Sequence, residues 1–449
     1  MLTERRLETR DILRKTARVA VPAFFASALA FGMNLINYML LALFQNYHSI
    51  AAYGIVSAYT TLAAGIFMPI ASAAGSVLER AQGSPDPYRK QQIINTALLT
   101  AFLVGVASTV FAILIAPGYV WQVVTPEEIK EMTTLFLQLF SVNFIPIIYF
   151  GVTTNILMKT GAPQGPILAE VSALVLHVSF GYIFVGLFDM GIYGCAISAI
   201  LSQWIAALVN THLILQQRRQ TPIRAPIRIH RDILKELVLE KWPAVFAAIL
   251  GGIFAIFLQY YIDDLGVVTI AGFTLFFLFQ EALFLPFRGF TSAARSLSSD
   301  HVDDPTTLGL NRTINPLLIV SGIYALFLIP LSRVIGPPII LFLSHHDADV
   351  TDVAMRLVNL VSWFYFFFAV STILSAVLEG MGRDTAVMRS NIFFNFIVRF
   401  VILVLASEVI QGGESIVLCF PASWAISAGA LAVYYYVNFS RGANEKYSL

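Results

Sequence analysis

Hydrophobic residues in this chain gather into runs of twenty or more, separated by shorter polar stretches, and about 20 apolar residues is the length a helix needs to cross a bilayer. Twelve runs meet this measure, at 19–44, 51–78, 93–117, 133–158, 166–188, 191–214, 242–262, 267–293, 314–335, 353–378, 387–409 and 415–438. The longer ones imply tilt or extension into the headgroups. The pattern also repeats. Arg10-Asp11-Ile12-Leu13 leading to Pro22 recurs 221 positions on as Arg231-Asp232-Ile233-Leu234 leading to Pro243, and the same offset pairs Gly161 with Gly382 and Gly191 with Gly412. The fold read from this pattern is all-α: a polytopic membrane protein with twelve transmembrane helices in two six-helix repeats. Residues 1–215 form an N-terminal lobe, 216–241 a cytoplasmic linker and 242–449 a C-terminal lobe. Two such lobes of equal handedness surround an axis along the membrane normal, with a substrate path between them.

Composition agrees, since 57% of the residues are hydrophobic, only 12% are charged and the mean hydropathy is +0.76. A soluble chain carries roughly a quarter charged residues. The net charge of +1 gives no field that would draw nucleic acid. Cys195 and Cys419 both lie in apolar runs and offer no disulfide framework. The N-terminal stretch MLTERRLETRDILRKTAR runs straight into a full-length span without a cleavage signal, so no cleaved leader is expected. Charge does set sidedness. Arg5, Arg6, Arg10, Arg14, Lys15 and Arg18 precede the first run, and Arg218, Arg219, Arg224, Arg228, Arg231 and Lys235 crowd the loop after the sixth. Arg312, Arg441 and Lys446 lie on the same side, whereas the intervening loops carry Glu127, Glu128, Glu131, Asp263, Asp264, Asp347 and Asp349. Both termini are therefore expected in the cytoplasm, with the chain in a bacterial-type inner membrane. The linker is read as an extended Pro- and Arg-rich start followed by an interfacial amphipathic helix presenting Ile233, Leu234, Leu237 and Leu239.

Several stretches carry a family likeness: VPAFFASALAFGMNLIN, SIAAYGI, LMKTGAPQGP and GYIFVGLFDMGIYGCAISAILSQW in the first half, then EKWPAVFAAILGG, TIAGF, VLEGMGRD and NIFFNFIVR in the second. Over nearly its whole length the chain resembles the multidrug and toxic compound extrusion (MATE) transporters. Each motif alone is only glycine and proline punctuation of apolar helices; their order, spacing and twofold repetition carry the likeness. The resemblance implies two six-helix bundles that rock about a central cavity, exporting amphipathic, often cationic, compounds in exchange for protons or sodium ions. The acids that usually couple the ion are missing here. Their best-matching positions hold Asn37 in span 1, Gly251 in span 7, Phe368 in span 10 and Phe180 or a neighbour in span 5.

Ionisable side chains at bilayer depth cost roughly 2.5–3.5 kcal/mol on insertion scales, so each is a functional candidate. In the second lobe, Glu281 shares a helical stripe with Arg288 and Arg295, while Arg399 follows Asn395 and Asn391 on another. Glu281 and Arg399 lie at similar depth and are expected to pair, either to couple an ion or to lock two helices together. In the first lobe, His177 either carries protons or serves with Asn37 as polar glue, and Glu170 lies seven residues earlier on the same face. Asn34, Asn37, Tyr38, Asn143 and Gln203, with Arg288, Asn391 and Asn395, are the expected substrate-cavity residues. His345-His346-Asp347-Ala348-Asp349 is read as a solvated loop, not a metal site. No nucleotide loop or metal-ligand spacing points to an enzyme. The expected activity is secondary active export of an amphipathic organic compound by alternating access, in a monomer, with H+ or Na+ as coupling ion and no cofactor. Lipids and the substrate are the expected partners. A lipid-linked glycan flippase of the same superfamily and a non-transporting membrane receptor remain the alternatives.

Overall fold

The computed structural model describes residues 2–82, 87–123, 126–162, 164–219, 225–240, 242–301, 307–409 and 412–440. The side chains of Arg5, Arg6, Arg10 and Arg312, and residues Arg224, Arg441 and Lys446, on which part of the sidedness reading rests, lie outside the described residues. The first repeat holds α1 (Leu2–Phe44), α2 (Tyr47–Gln82), α3 (Pro87–Val123), α4 (Glu127–Ser141), α5 (Phe144–Lys159), α6 (Gln164–Gly181, continued by a π-helical turn Tyr182–Leu187) and α7 (Gly191–Arg219). A short α8 (Arg231–Glu240) precedes the second repeat. That repeat holds α9 (Trp242–Asp263), α10 (Val267–Ser299), α11 (Thr307–Leu343), α12 (Ala348–Ser362) and α13 (Tyr365–Gly380). It continues with α14 (Asp384–Ser390), a π-helical segment Asn391–Val398, α15 (Arg399–Val409), α16 (Gly413–Val417) and α17 (Cys419–Tyr435). Among the described residues, ten helical stretches are long and apolar enough to cross a membrane, and α12 with α13, bent by 61°, make an eleventh if taken as one span. Helix α2 covers the remaining predicted run at 51–78. The expected twelve spans are thus all helical.

The duplication is written into the backbone. Gly161 and Gly382 have φ of +92° and +71°, and Gly191 and Gly412 have φ of +56° and +109°, so both members of each matched pair occupy the left-handed region. Only glycine enters that region freely, which is why these two turns keep it. The fourth span of each repeat breaks at the matched place too: Val142 and Asn143 separate α4 from α5, and Trp363 and Phe364 separate α12 from α13.

By packing, the chain divides into two compact units that cut across the repeats. One runs from Gly32 to Ala271 and includes Leu343–His345; the other holds the residues on either side of these. In the first unit α9 lies against α2. Lipid tails give helices no apolar drive to associate, so close contact depends on small residues. Gly252 is such a residue: a Cβ there would stand 2.7 Å from the Leu62 Cα. The linker is bound into this unit as well. The Ala225 N–H donates to Gln91 Oε1 at 3.0 Å, and Asn95 Nδ2 and Arg218 Nη2 both donate to the Ala225 carbonyl at 3.1 Å. Ile233 and Leu237 of α8 are buried by the protein itself, and its polar face forms ion pairs from Arg89 to Asp232 at 2.6 Å and from Arg80 to Glu236 at 2.9 Å. The expectation of a membrane-interfacial α8 is thereby corrected, although Leu239 stays exposed. Periodicity fixed the apolar face but not what covers it.

The Gly252 contact sets a paired test. Gly252→Ala forces α2 and α9 apart and lowers stability by about 1–3 kcal/mol, the usual cost of overpacking. Gly251→Ala, whose Cβ would meet nothing within 4 Å, leaves stability unchanged or slightly raised because alanine is the better helix former. Thermal unfolding of the two purified variants in detergent checks this, and equal melting would show that the crossing is loose.

Candidate functional site

Two groups of polar side chains stand out at span depth. In the Gly32–Ala271 unit, His177 of α6 contacts Asn37 Oδ1 through Nε2 at 3.0 Å. Asn37 Nδ2 donates to the Tyr53 hydroxyl at 3.0 Å, and that hydroxyl donates to Asn34 Oδ1 at 2.9 Å. These directions fix the rest: Asn37 Oδ1 is an acceptor, so His177 Nε2 carries the hydrogen, and the ring is neutral because a second N–H, on Nδ1, would be buried without an acceptor. Its Nδ1 has no hydrogen-bond partner. His177, Asn37 and Tyr53 are all buried, and Tyr38 packs edge-on against Tyr53 with ring centres 4.7 Å apart. The chain of bonds ties α1, α2 and α6 together through uncharged groups. Asn37 is a two-way connector here, accepting from the histidine and donating to the tyrosine.

Other first-half candidates fall elsewhere. Asn143 lies in the break between α4 and α5 and Gln203 on α7; both are buried, each with an amide oxygen that finds no partner. Glu170 is half-buried on α6. Lys159, the cation nearest it in sequence, pairs with Glu79 at 2.7 Å.

In the other unit, Glu281 and Arg399 do not take each other as partners. Glu281 pairs with Arg288, two turns along its own helix, at 3.3 Å. Arg399 donates from Nε to Ser423 Oγ at 3.0 Å and from Nη2 to Asn395 Oδ1 at 2.9 Å, with Asn395 in turn donating to Asn391 Oδ1 at 3.0 Å. Its guanidinium also lies over the Phe420 ring, 4.7 Å from the centre. The expected pair is corrected for a local reason: each charge is met by residues nearer to it, on the same helix or, for Arg399, also on α17. Arg295 continues the Glu281 stripe but pairs with Glu379 of α13, its Nε 2.9 Å from the carboxylate.

Glu281 and Arg288 open onto a cavity of about 410 Å³ whose walls include Phe277, Phe284, Phe287, Phe368 and Thr372. Phe284 and Phe368 stack at 4.1 Å with an angle of 13° between their rings, and Trp424 meets Phe368 edge-on at 5.2 Å. Phe368, the position the family resemblance matches to an acid, is thus part of an aromatic wall.

One buried acid was missed by the sequence reading. Asp263 was grouped with the loop acids, yet it ends α9 at 1% exposure, with Oδ1 accepting from Gln259 Nε2 at 2.6 Å. The Gln259 spacing, four residues earlier on the same helical face, was the available signal.

With this geometry in view, the chain was compared with known proteins. The MatE family model matches twice, over residues 22–183 and again over 243–405. The chain belongs to the MatE family. The two matches begin 221 positions apart, the same offset as the sequence repeat. Among curated relatives, a probable multidrug resistance protein of Bacillus subtilis is 22% identical over 431 residues, covering 95% of each chain. Among solved MATE structures, an inward-facing multidrug resistance transporter aligns with a TM-score of 0.84 at 15% identity, covering 94% of this chain and 98% of its own. An outward-facing one aligns at 0.72 with 16% identity, covering 95% of both chains. At these identities the structural likeness carries the MatE fold and no residue roles.

The Asn37 connector makes a direct prediction. Asn37→Leu strands the buried His177 Nε2, at about 1–3 kcal/mol, and leaves the Tyr53 hydroxyl with its bond to Asn34 but no donor of its own. The variant melts well below the parent in detergent, whereas Asn37→Asp keeps an acceptor for His177 and loses less. Parent-like melting of Asn37→Leu would show that the network does not hold the helices.

Proposed function

We propose that this chain is a secondary active exporter of the MATE type, moving an amphipathic organic cation out of a bacterial-type cell by alternating access. The observation that carries this reading is the cavity bordered by Glu281 and Arg288: stacked phenyl rings offer a flat apolar surface, and a carboxylate stands beside it. A cation can rest over aromatic faces at a gain of about 0.5–2 kcal/mol. It would displace Arg288 from Glu281, so the two cations compete for one carboxylate. The names of relatives, which speak of multidrug resistance, favour the same class of cargo.

In this proposal residues 1–215 and 242–449 act as the two lobes, residues 216–241 are the cytoplasmic linker, and both termini face the cytoplasm. The exporter works as a monomer and needs no cofactor, drawing its energy from a proton or sodium gradient. His177 and Arg399 then serve to cross-link helices, and Glu170 lies apart from the cavity.

Reconstitution into proteoliposomes with an imposed proton or sodium gradient tests the reading. The parent chain accumulates a flat cationic dye against its gradient with one of the two ions. Glu281→Gln weakens dye binding about tenfold, the equivalent of one charge-assisted contact of ~1.4 kcal/mol. Dye binding unchanged in both Glu281→Gln and Phe284→Ala would remove this cavity from the transport path, and the absence of accumulation with either gradient would refute the exporter.

A further inference from the structure

The end of α9 holds a carboxyl group whose surroundings account for only half of it. Asp263 Oδ1 is held by Gln259, but Oδ2 is buried with no hydrogen-bond partner. Among the helices packed on α9, α2 brings Tyr59 and α3 brings Tyr119. Tyr119 is buried, its hydroxyl also lacks a hydrogen-bond partner, and it lies within electrostatic reach of both Asp263 and Tyr59. The Tyr59 and Tyr119 rings are 5.4 Å apart. The charged group acting on Asp263 is Asp264, the next residue and of the same sign.

An ionised carboxylate in such a place would be met by one amide donor and a like charge. Burying a charge without a partner is so costly that proteins neutralise the group instead. Two orphaned oxygens, one on an acid and one on a phenol within its electrostatic reach, leave Oδ2 free to carry a hydrogen. Three neutral or acidic oxygens on three helices make a poor cage for a hard cation such as Ca2+ or Mg2+, which takes about six or more oxygens.

We propose that Asp263 is a proton-binding site at the end of α9 opposite the linker, loaded while α9 is packed on α2 and α3 and emptied when they part. Helix α9 belongs to the second repeat and α2 and α3 to the first, so this contact is one that separation of the lobes would break. Once parted, Oδ2 meets water on the side where the helices open, the proton leaves to that side, and reclosure requires that it return from there, so the site makes closure pH-dependent and carries no proton across the membrane. The site is distinct from the positions of the missing family acids: Gly251 lies on the same helix but three turns earlier. The inference rests on the exporter reading for its use in transport, whereas the protonated state itself does not.

The experiment is therefore double. Infrared spectra of the full chain in sodium-free nanodiscs at pH 7 contain the carbonyl stretch of a protonated carboxyl, and Asp263→Asn removes that band while Glu170→Gln retains it. Persistence of the band in Asp263→Asn overturns the proposal. Its loss from the parent on adding sodium chloride at constant ionic strength also overturns it, in favour of a sodium site. In proteoliposomes, exchange of labelled for unlabelled dye by the parent slows as pH rises on the side where that end of α9 opens, because reclosure needs the proton. Asp263→Asn exchanges at a rate independent of that pH, because the neutral amide stands for the protonated acid. Parent-like pH dependence of exchange in Asp263→Asn contradicts the proposal. A parent chain that moves no dye sinks the exporter reading, while the infrared band still decides the site.

Discussion

A polar group at bilayer depth has no water to fall back on, so its partners must come from the protein. Much of this structure follows from that constraint. His177, Asn37, Tyr53 and Asn34 form a directed chain of hydrogen bonds with one donor for each acceptor. Arg399 is met by a hydroxyl, an amide oxygen and a ring face. Where a group is left incomplete, as at Asp263 Oδ2, or placed against a cavity, as at Glu281, function has room to enter. Asn37 is likewise met by protein groups on α2 and α6, and Phe368 is held in an aromatic stack.

Duplication explains the frame on which these groups sit. Each repeat ends its fourth span in a glycine turn and begins its sixth with another, and the matched glycines share the left-handed backbone. Each also breaks its fourth span at the same position. The side chains decorating the frame have diverged: the first repeat carries the neutral His177 network, and the second carries charged and aromatic groups.

The frame was legible because its causes are local. Apolar run length and glycine in tight turns are properties of neighbouring residues, and the 221-residue offset repeats those local patterns in the second half. The His177–Asn37 contact was also within reach, since two polar residues at one depth in an apolar bundle have few other partners. Choosing between partners was not. Glu281 had Arg288 on its own stripe as well as Arg399 on another helix, and sequence gives depth without distance. The apolar face of α8 had two possible covers, lipid or protein, and Ile233 and Leu237 took protein. Asp263 looked like its neighbour Asp264, because a helix end and a loop cannot be told apart by composition alone.

The central claim is that α9 leaves α3 during a transport cycle. Spin labels at Trp121 and Tyr260, exposed side chains near the ends of these two helices, report that separation through the distribution of distances between them. The account predicts two populations, a short one favoured at low pH and a long one that grows as pH rises or substrate is added. A single distribution, unmoved by pH and by substrate, would contradict it.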